Sequence, residues 1–146
     1  MKLLLQRVSQ ASVSVAGEQV GAIGPGMLVL AGFQREDSEA QVSRLTERML
    51  NYRLFADAEG KTNLSVRDIA GGVLLVSQFT LAADTGRGLR PGFSLAAQPQ
   101  RARELYLAML AQLQQESSVQ VASGIFGADM QVMLINDGPV TFLLEG

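Results

Sequence analysis

The amino-acid sequence predicts an α+β fold, in which two main helices pack on a largely antiparallel, twisted and barrel-like sheet. The order of the local patterns is strands with a hairpin, a helix, strands, a second helix and strands, and this order favours helices packed on one sheet. A length of 146 residues suits a single domain, and no repeat, low-complexity tract or linker divides residues 1–146. A chain of this size buries roughly two-thirds of its unfolded surface, so it needs no disulfide or metal to fold.

The N-terminal part is predicted to form three strands. Residues 2–15 mix β-branched and small residues with partial alternation, which indicates an extended strand. Residues 16–19 have the composition of a hairpin turn, and residues 20–23 form the returning strand. A Gly-Pro-Gly turn at 24–26 leads into 27–33, whose continuous apolar run is typical of a buried central strand.

Two segments have the three- and four-residue apolar spacing of amphipathic helices. The first helix is predicted to begin after Ser38, a suitable N-cap, and to end near Tyr52. The second is predicted to run from Pro99, in a first-turn position that suits proline, to about Glu116.

Short runs of apolar and β-branched residues predict five more strands. They lie at 53–55, 73–79, 119–122, 130–135 and 140–144. Turns are predicted at 57–60 and 136–139, where Asp, Asn, Gly or Pro residues cluster. Residues 80–98 form a long irregular connection to the second helix, and such connections in compact domains are usually functional.

The composition excludes several kinds of chemistry. The chain has no Cys, no His and no Trp. Disulfides, thiolate nucleophiles and a Ser-His-Asp triad are therefore excluded, and we assign neither a metal site nor a cofactor. The net charge of −2 argues against a wholly basic nucleic-acid-binding surface. No apolar stretch suits a signal peptide or a membrane span, so a cytoplasmic protein is expected.

The most informative polar motif is Ser77-Gln78-Phe79-Thr80, which ends an apolar strand and precedes the long connection. Strand ends hold polar groups rigidly, so the motif fits either a binding site or an ordinary strand terminus, and the pattern alone does not decide between them. Thr80 is a candidate nucleophile, but no activating base is adjacent to it in sequence.

Two other features are ambiguous at the level of pattern. Gly138-Pro139 lies in a predicted turn, and since X-Pro bonds are cis in only about one case in twenty, the pattern favours a trans bond. Between Asp84 and Glu104 there is no acid, but four arginines occur there: Arg87, Arg90, Arg101 and Arg103. They predict a local phosphate-binding face or a solvated surface, and the glycines beside the loop arginines favour the former.

Two longer motifs resemble the signature motifs of the D-aminoacyl-tRNA deacylase family. The first is Ser77-Gln78-Phe79-Thr80-Leu81 followed by Ala83-Asp84-Thr85, and the second is Asn136-Asp137-Gly138-Pro139-Val140-Thr141. Similar segments occur in the expected order at 6–13, 24–26, 63–65 and 126–130. The resemblance covers essentially the whole chain, and two long motifs at the right separation are far more specific than Gly-Pro alone.

The resemblance implies an enzyme that hydrolyses the ester joining a D-amino acid to the 3′-terminal adenosine of a tRNA, freeing the tRNA and the D-amino acid. It implies a homodimer in which each subunit inserts a cis Gly138-Pro139 turn into the partner's pocket. There the carbonyl oxygens of the turn hold the substrate amino group and exclude an L side chain. Glycyl-tRNA, which has no side chain to exclude, should also be hydrolysed. This activity is chiral proofreading, a form of translation quality control.

The resemblance assigns Ser77, Gln78, Phe79 and Thr80 to the catalytic motif. Backbone amides near Phe79 and Thr80 would hold the carbonyl oxygen as negative charge develops. The resemblance also implies that the 2′-hydroxyl of the terminal ribose assists the attack, so no side-chain base is required.

Other residues are implied to bind the nucleic acid or to support the site. Phe126 and Met130 would line the adenosine pocket, and Arg7 would brace the inserted turn. Arg87 and Arg90 are expected to contact the acceptor end of the tRNA.

Two alternative functions remain open at the level of sequence. One is a non-catalytic RNA-binding module that uses the Arg87–Arg103 face. The other is a hydrolase of unrelated esters in which Thr80 is the nucleophile. Neither DNA nor a membrane is expected as a partner.

Overall fold

The computed structural model describes residues 1–86 and 88–146. The strands are β1 Lys2–Val15, β2 Glu18–Ile23, β3 Gly26–Gly32, β4 Phe55–Ala56, β5 Thr62–Leu64, β6 Gly72–Ser77, β7 Gln120–Ser123 and β8 Gln131–Glu145. The helices are α1 Glu39–Leu50 and α2 Pro99–Gln114, and a short 3₁₀ turn spans Phe79–Ala82. Within the two described ranges, no helix is long and apolar enough to cross a membrane.

The long strand β1 organises the main sheet. Along one side it pairs antiparallel with β8, and along the other side with β3 in its first half and β2 in its second half. β3 pairs in parallel with β6, and β6 in parallel with β7. β2 approaches β7 so closely that a Cβ added to Gly21 would lie 2.9 Å from the carbonyl oxygen of Ser123. The result is a nearly closed, barrel-like mixed sheet.

Both faces of β6 are buried, which explains its continuous apolar sequence. Because side chains alternate along a strand, Val73 and Leu75 enter the larger hydrophobic core, whereas Leu74 and Val76 enter a smaller one. The two helices pack on the larger core through Leu45, Met49, Leu105 and Met109. This packing holds the end of β6 rigidly between two cores.

The predicted fold class is confirmed, and so is the start of each helix. The Gln41 N–H donates to Ser38 Oγ at 3.3 Å, and the Ser38 N–H donates to Gln41 Oε1 at 2.8 Å. This reciprocal pair is a capping box, which satisfies amides that the first helical turn leaves without partners. The helices end at Leu50 and Gln114, each two residues before the predicted end.

Four of the predicted strands differ in detail from the structure. The strand predicted at 73–79 ends at Ser77, because the chain turns into the 3₁₀ segment at Phe79. The strands predicted at 130–135 and 140–144 are parts of the single strand β8, which a short excursion interrupts. The strand predicted at 53–55 is only Phe55–Ala56, and its partner β5 was not predicted.

Candidate active site

A pocket of about 520 Å³ opens where β6 ends. Its walls come from the ends of β3 and β6, the start of α2 and the segment 126–130. The polar contribution from β6 is Ser77 and Gln78, and Phe79 lies beside them. The other lining side chains are mostly apolar, and a largely apolar concave site with a few placed polar groups is typical of small-ligand binding.

A glycine on β3 allows the chain to turn sharply at this point. The Gln78 N–H donates to the Ala31 carbonyl at 2.8 Å, and the Leu81 N–H donates to the Gln78 carbonyl at 3.2 Å. A Cβ added to Gly32 would lie 2.9 Å from the Gln78 carbonyl oxygen and 2.7 Å from the Cβ of Leu81. The 3₁₀ turn therefore folds directly over the backbone of β3.

The predicted catalytic motif has a defined internal geometry. Ser77 and Gln78 are half-buried, whereas Phe79 and Thr80 are exposed. The Gln78 Nε2 donates to Thr80 Oγ1, and Thr80 is not among the described residues that line the pocket. Phe79 and Thr80 are the first residues of the 3₁₀ turn, so their N–H groups have no acceptor within it.

The opposite wall of the pocket contains the two residues predicted to bind adenosine. Phe126 and Met130 both line the pocket, and the Phe126 ring lies 5.6 Å from the ring of Tyr106, between centroids. A Cβ added to Gly124 would lie 2.6 Å from the Met130 sulfur. Glycine at position 124 therefore leaves the space that the thioether occupies.

The buried side chain of Tyr106 connects this wall of the pocket to β6. Its hydroxyl is within hydrogen-bonding distance of the carbonyls of Leu75, at 3.1 Å, and Gly124, at 3.3 Å. Burial raises the pKa of Tyr106 to about 12, so the hydroxyl stays protonated and able to donate at neutral pH. The two walls of the pocket thus share one buried anchor.

Gly138 and Pro139 lie in the excursion from β8. Val8 of β1 pairs with Asn136 and Gln6 pairs with Thr141, so residues 137–140 leave the ladder. The Gly138-Pro139 peptide bond is cis. The expectation from pattern alone, a trans bond, is therefore wrong, whereas the cis bond implied by the family resemblance is present.

The excursion is held at both ends. The Val140 N–H donates to Asn136 Oδ1 at 2.7 Å, and Asn136 Nδ2 donates to the Val140 carbonyl at 3.2 Å. At the other end, Arg7 Nε donates to the Asp137 carbonyl at 2.8 Å, while its Nη1 donates to the Leu54 carbonyl, also at 2.8 Å. Arg7 thus contacts the excursion of its own chain, and the planar guanidinium suits two such contacts.

The structure separates the two predicted motifs within one chain. Gly138 and Pro139 are exposed and are not among the described residues that line the pocket. Ser77, Gln78 and Phe79, in contrast, line the same pocket as the predicted adenosine wall.

The predicted basic face is less basic than the sequence indicated. Arg101 Nη1 lies 3.4 Å from Glu39 of α1 and 3.2 Å from Glu104, three residues further along α2, so these two acids partly neutralise it. Arg90 is exposed. Arg87 lies outside the described residues.

Sequence reasoning missed much of the pocket wall. Phe33, Ala97 and Ala102 line it, as does Asp129, the one ionisable side chain among the described lining residues. The sequence feature that could have indicated this wall is the presence of small residues near the N-terminus of α2. Small side chains leave space where a helix begins beside the end of a strand. Their approach to β6 depends on tertiary packing, which local pattern does not reveal.

Comparison with known proteins identifies the family of this chain. The sequence matches the family described as D-Tyr-tRNA(Tyr) deacylase over residues 4–145. The chain belongs to this family. The D-aminoacyl-tRNA deacylases of Azotobacter vinelandii, Stutzerimonas stutzeri and Klebsiella pneumoniae are 60%, 59% and 57% identical to it over 145 residues. Each alignment covers 99% of this chain and 99% of the relative.

Solved structures extend the similarity to three dimensions for this member of the D-Tyr-tRNA(Tyr) deacylase family. A protein titled c-Myc DNA Unwinding Element Binding Protein is 42% identical, with a TM-score of 0.95 over 100% of this chain and 99% of the other. A probable eukaryotic D-amino acid tRNA deacylase is 15% identical, with a TM-score of 0.85 over 98% and 97% of the two chains. The second similarity concerns the fold alone.

Proposed function

We propose that this protein hydrolyses the ester between a D-amino acid and the 3′-terminal adenosine of a tRNA, and that it rejects the L-aminoacyl ester. Deacylase activity on aminoacyl-tRNA follows from its membership of the D-Tyr-tRNA(Tyr) deacylase family. The observation that carries the proposal is the pocket, which brings Ser77, Gln78 and Phe79 together with Phe126 and Met130. A volume of about 520 Å³ suits a nucleoside carrying an acyl group.

The proposed chemistry needs no acid–base side chain from the protein. Water attacks the ester carbonyl, and negative charge develops on the carbonyl oxygen. The bond to the ribose oxygen then breaks, and that oxygen takes up the proton that the water loses. The N–H groups of Phe79 and Thr80 are suited to bind that oxygen, because they have no acceptor within the 3₁₀ turn. The 2′-hydroxyl of the terminal ribose assists the attack, which accounts for hydrolysis by a chain without His or Cys.

Chiral selection is proposed to come from a second copy of the chain. The exposed Gly138 and Pro139 of one subunit enter the pocket of the other, where their carbonyl oxygens accept hydrogen bonds from the substrate amino group. An L side chain then meets the inserted turn, whereas a D side chain points into open space. Several D-amino acids are therefore accepted, and glycine, which has no side chain, is not rejected.

The exposed edge of β8 supports a homodimer. Met133, Ile135 and Leu143 are apolar side chains on this strand, and they are 66%, 52% and 49% exposed. β1 is the strand that pairs with β8 among the described residues, so the other edge of β8 is open. An open, apolar strand edge is suited to association with a second copy.

The substrate contacts that we propose extend from the pocket to the surrounding surface. Phe126 and Met130 line the adenosine site, and Arg7 supports the inserted turn through the Asp137 carbonyl. Arg90 and Arg87 contact phosphates of the acceptor end. The proposed location is the cytoplasm, where aminoacyl-tRNA is used in translation.

Matched D-tyrosyl- and L-tyrosyl-tRNA test the proposal. We expect the protein to deacylate the D ester and to leave the L ester at its spontaneous rate, while glycyl-tRNA is hydrolysed at high enzyme concentration. Loss of both tyrosyl esters at their spontaneous rates, with binding retained, would instead indicate a non-catalytic RNA-binding module. Complete protection of glycyl-tRNA would contradict selection by side-chain exclusion.

A further inference from the structure

Two aromatic rings form an exposed surface at the mouth of the pocket. Phe79 lines the pocket and is 62% exposed, and Phe93 is 40% exposed. Their ring centroids are 5.1 Å apart, and the ring planes are inclined by 42°. The two rings, here called the aromatic pair, therefore extend the pocket wall out to the protein surface.

The backbone around Phe93 is well supported. Immediately before it, Asp84 and Gly92 exchange backbone hydrogen bonds of 2.7 and 2.9 Å. Immediately after it, the Ala96 N–H donates to the Phe93 carbonyl at 3.1 Å, and the Ala97 N–H donates to the Phe33 carbonyl at 3.0 Å. Phe93 is thus held beside the pocket by contacts on both sides of it in the chain.

The position of the aromatic pair, beside the pocket, limits which ligand group can bind to it. A single exposed apolar residue is ordinary, but two contacting rings at the mouth of a pocket offer aromatic faces on which a base can stack. The substrate class proposed above has a single-stranded 3′ end, so the nucleotide before the terminal adenosine leaves the pocket with its base unpaired. Proteins bind unpaired bases by stacking them on aromatic side chains.

We propose that the aromatic pair is a subsite for the penultimate nucleotide of the tRNA, whose base stacks on it. This inference rests on the proposed function, since it places the terminal adenosine in the adjoining pocket. Arg90, three residues before Phe93, is an exposed cation on the same loop. The neighbouring acid, Asp84, accepts a hydrogen bond from the Gly86 N–H at 2.9 Å through Oδ1. Stacking is tolerant of sequence, so the subsite grips any acceptor end without selecting a particular tRNA.

The test compares two substrates that differ only in length. One is D-tyrosyl-adenosine, and the other is the same ester at the end of a CCA trinucleotide. Phe93→Ala is expected to lower the kcat/KM ratio of the longer to the shorter ester by about tenfold. Phe93→Tyr keeps a stacking ring and should keep the ratio. Leu95→Ala, which removes a 52% exposed apolar side chain from the same loop, is the matched control and should leave the ratio unchanged.

Direct binding separates this inference from the proposed function. Uncharged CCA with 2-aminopurine at the penultimate position should lose fluorescence on binding the wild-type protein, and Phe93→Ala should abolish that quenching. Quenching without any deacylation would contradict the proposed function but would still support the nucleotide subsite. Equal losses on both esters in Phe93→Ala, or a change in its oligomeric state by gel filtration, would show that the ring serves folding or subunit contact. Either result, or unquenched fluorescence, overturns the inference.

Discussion

Gly124 illustrates how one missing side chain shapes the pocket. A Cβ at this position would lie 2.6 Å from the Met130 sulfur, well inside van der Waals contact. Gly124→Ala is therefore expected to push Met130 toward the proposed adenosine site and to raise KM for the D-aminoacyl ester, with kcat/KM about tenfold lower. Steady-state deacylation kinetics provide the measurement.

Gly24→Ala is the matched control for this prediction. A Cβ at Gly24 would meet no heavy atom within 4 Å, so its kinetics should remain close to those of the wild type. Unchanged KM in Gly124→Ala would show that Met130 does not limit the space for substrate.

Thr80 is the residue at which the two chemical accounts differ. In the proposed reaction its side chain only positions Gln78 through their hydrogen bond, so Thr80→Ala should reduce kcat by less than about tenfold. A nucleophilic threonine would instead make the loss on the order of a thousandfold or more. Single-turnover deacylation of D-tyrosyl-tRNA distinguishes these outcomes. If Thr80→Ala were inactive and Thr80→Ser active, the results would support the account in which the Thr80 hydroxyl is the nucleophile.

Residue-level chemistry could be predicted from sequence where the residues are contiguous. Ser77, Gln78 and Phe79 are consecutive, so the motif was enough to predict that they lie together at one site. Asp129 and Phe93 were not singled out, because their relation to the pocket depends on how distant segments pack. No local pattern contains that information.

At the scale of elements, Arg67 joins the two helices. Its guanidinium bonds to Glu47 of α1 at 2.7 Å and to Glu116, just beyond α2, at 2.7 Å. The hydrogen bond from Arg67 lowers the pKa of Glu47 from 4.5 to about 2. A carboxyl group whose pKa is lowered by folding stabilises the folded state above its ordinary pKa, and this contribution disappears as the pH falls toward its folded value.

Glu47→Gln is therefore expected to lower the free energy of unfolding at pH 7 by less than about 1 kcal/mol, since the pair is partly exposed. The difference from the wild type should shrink as the pH falls from 4.5 to about 2. Urea unfolding across that range measures it, with Glu18→Gln on β2 as a charge-matched control. A difference that stays constant with pH would contradict the role assigned to the Arg67 contact.

The helices were easier to predict than the strand pairings. Ser38 and Pro99 are local start signals, and apolar spacing identified the buried faces behind them. The parallel pairing of β3 with β6 was not predicted, because burial on both faces indicates a central strand and says nothing of its direction. β5 is three residues long, with two of them exposed, and so leaves almost no pattern.

At the scale of the whole molecule, the two motifs lie apart. Ser77, Gln78 and Phe79 of the first motif line the pocket, whereas the second motif projects from β8 as an exposed excursion. Substitution at Gly138 should disable this excursion, because its φ of +154° disfavours an L side chain and an added Cβ would lie 2.6 Å from the Val140 nitrogen. Filling the pocket through Ala128→Trp should disable the other half of the site.

Hybrid dimers made from these two variants most directly test the proposed insertion of each subunit's excursion into its partner's pocket. Gly138→Ala and Ala128→Trp are each expected to be inactive as homodimers. In a two-fold hybrid, the intact pocket of one subunit receives the intact excursion of the other, so purified hybrids should recover about half of the wild-type deacylation of D-tyrosyl-tRNA. If each chain instead uses its own excursion, both sites of the hybrid remain defective, and an inactive but correctly assembled hybrid would contradict the account.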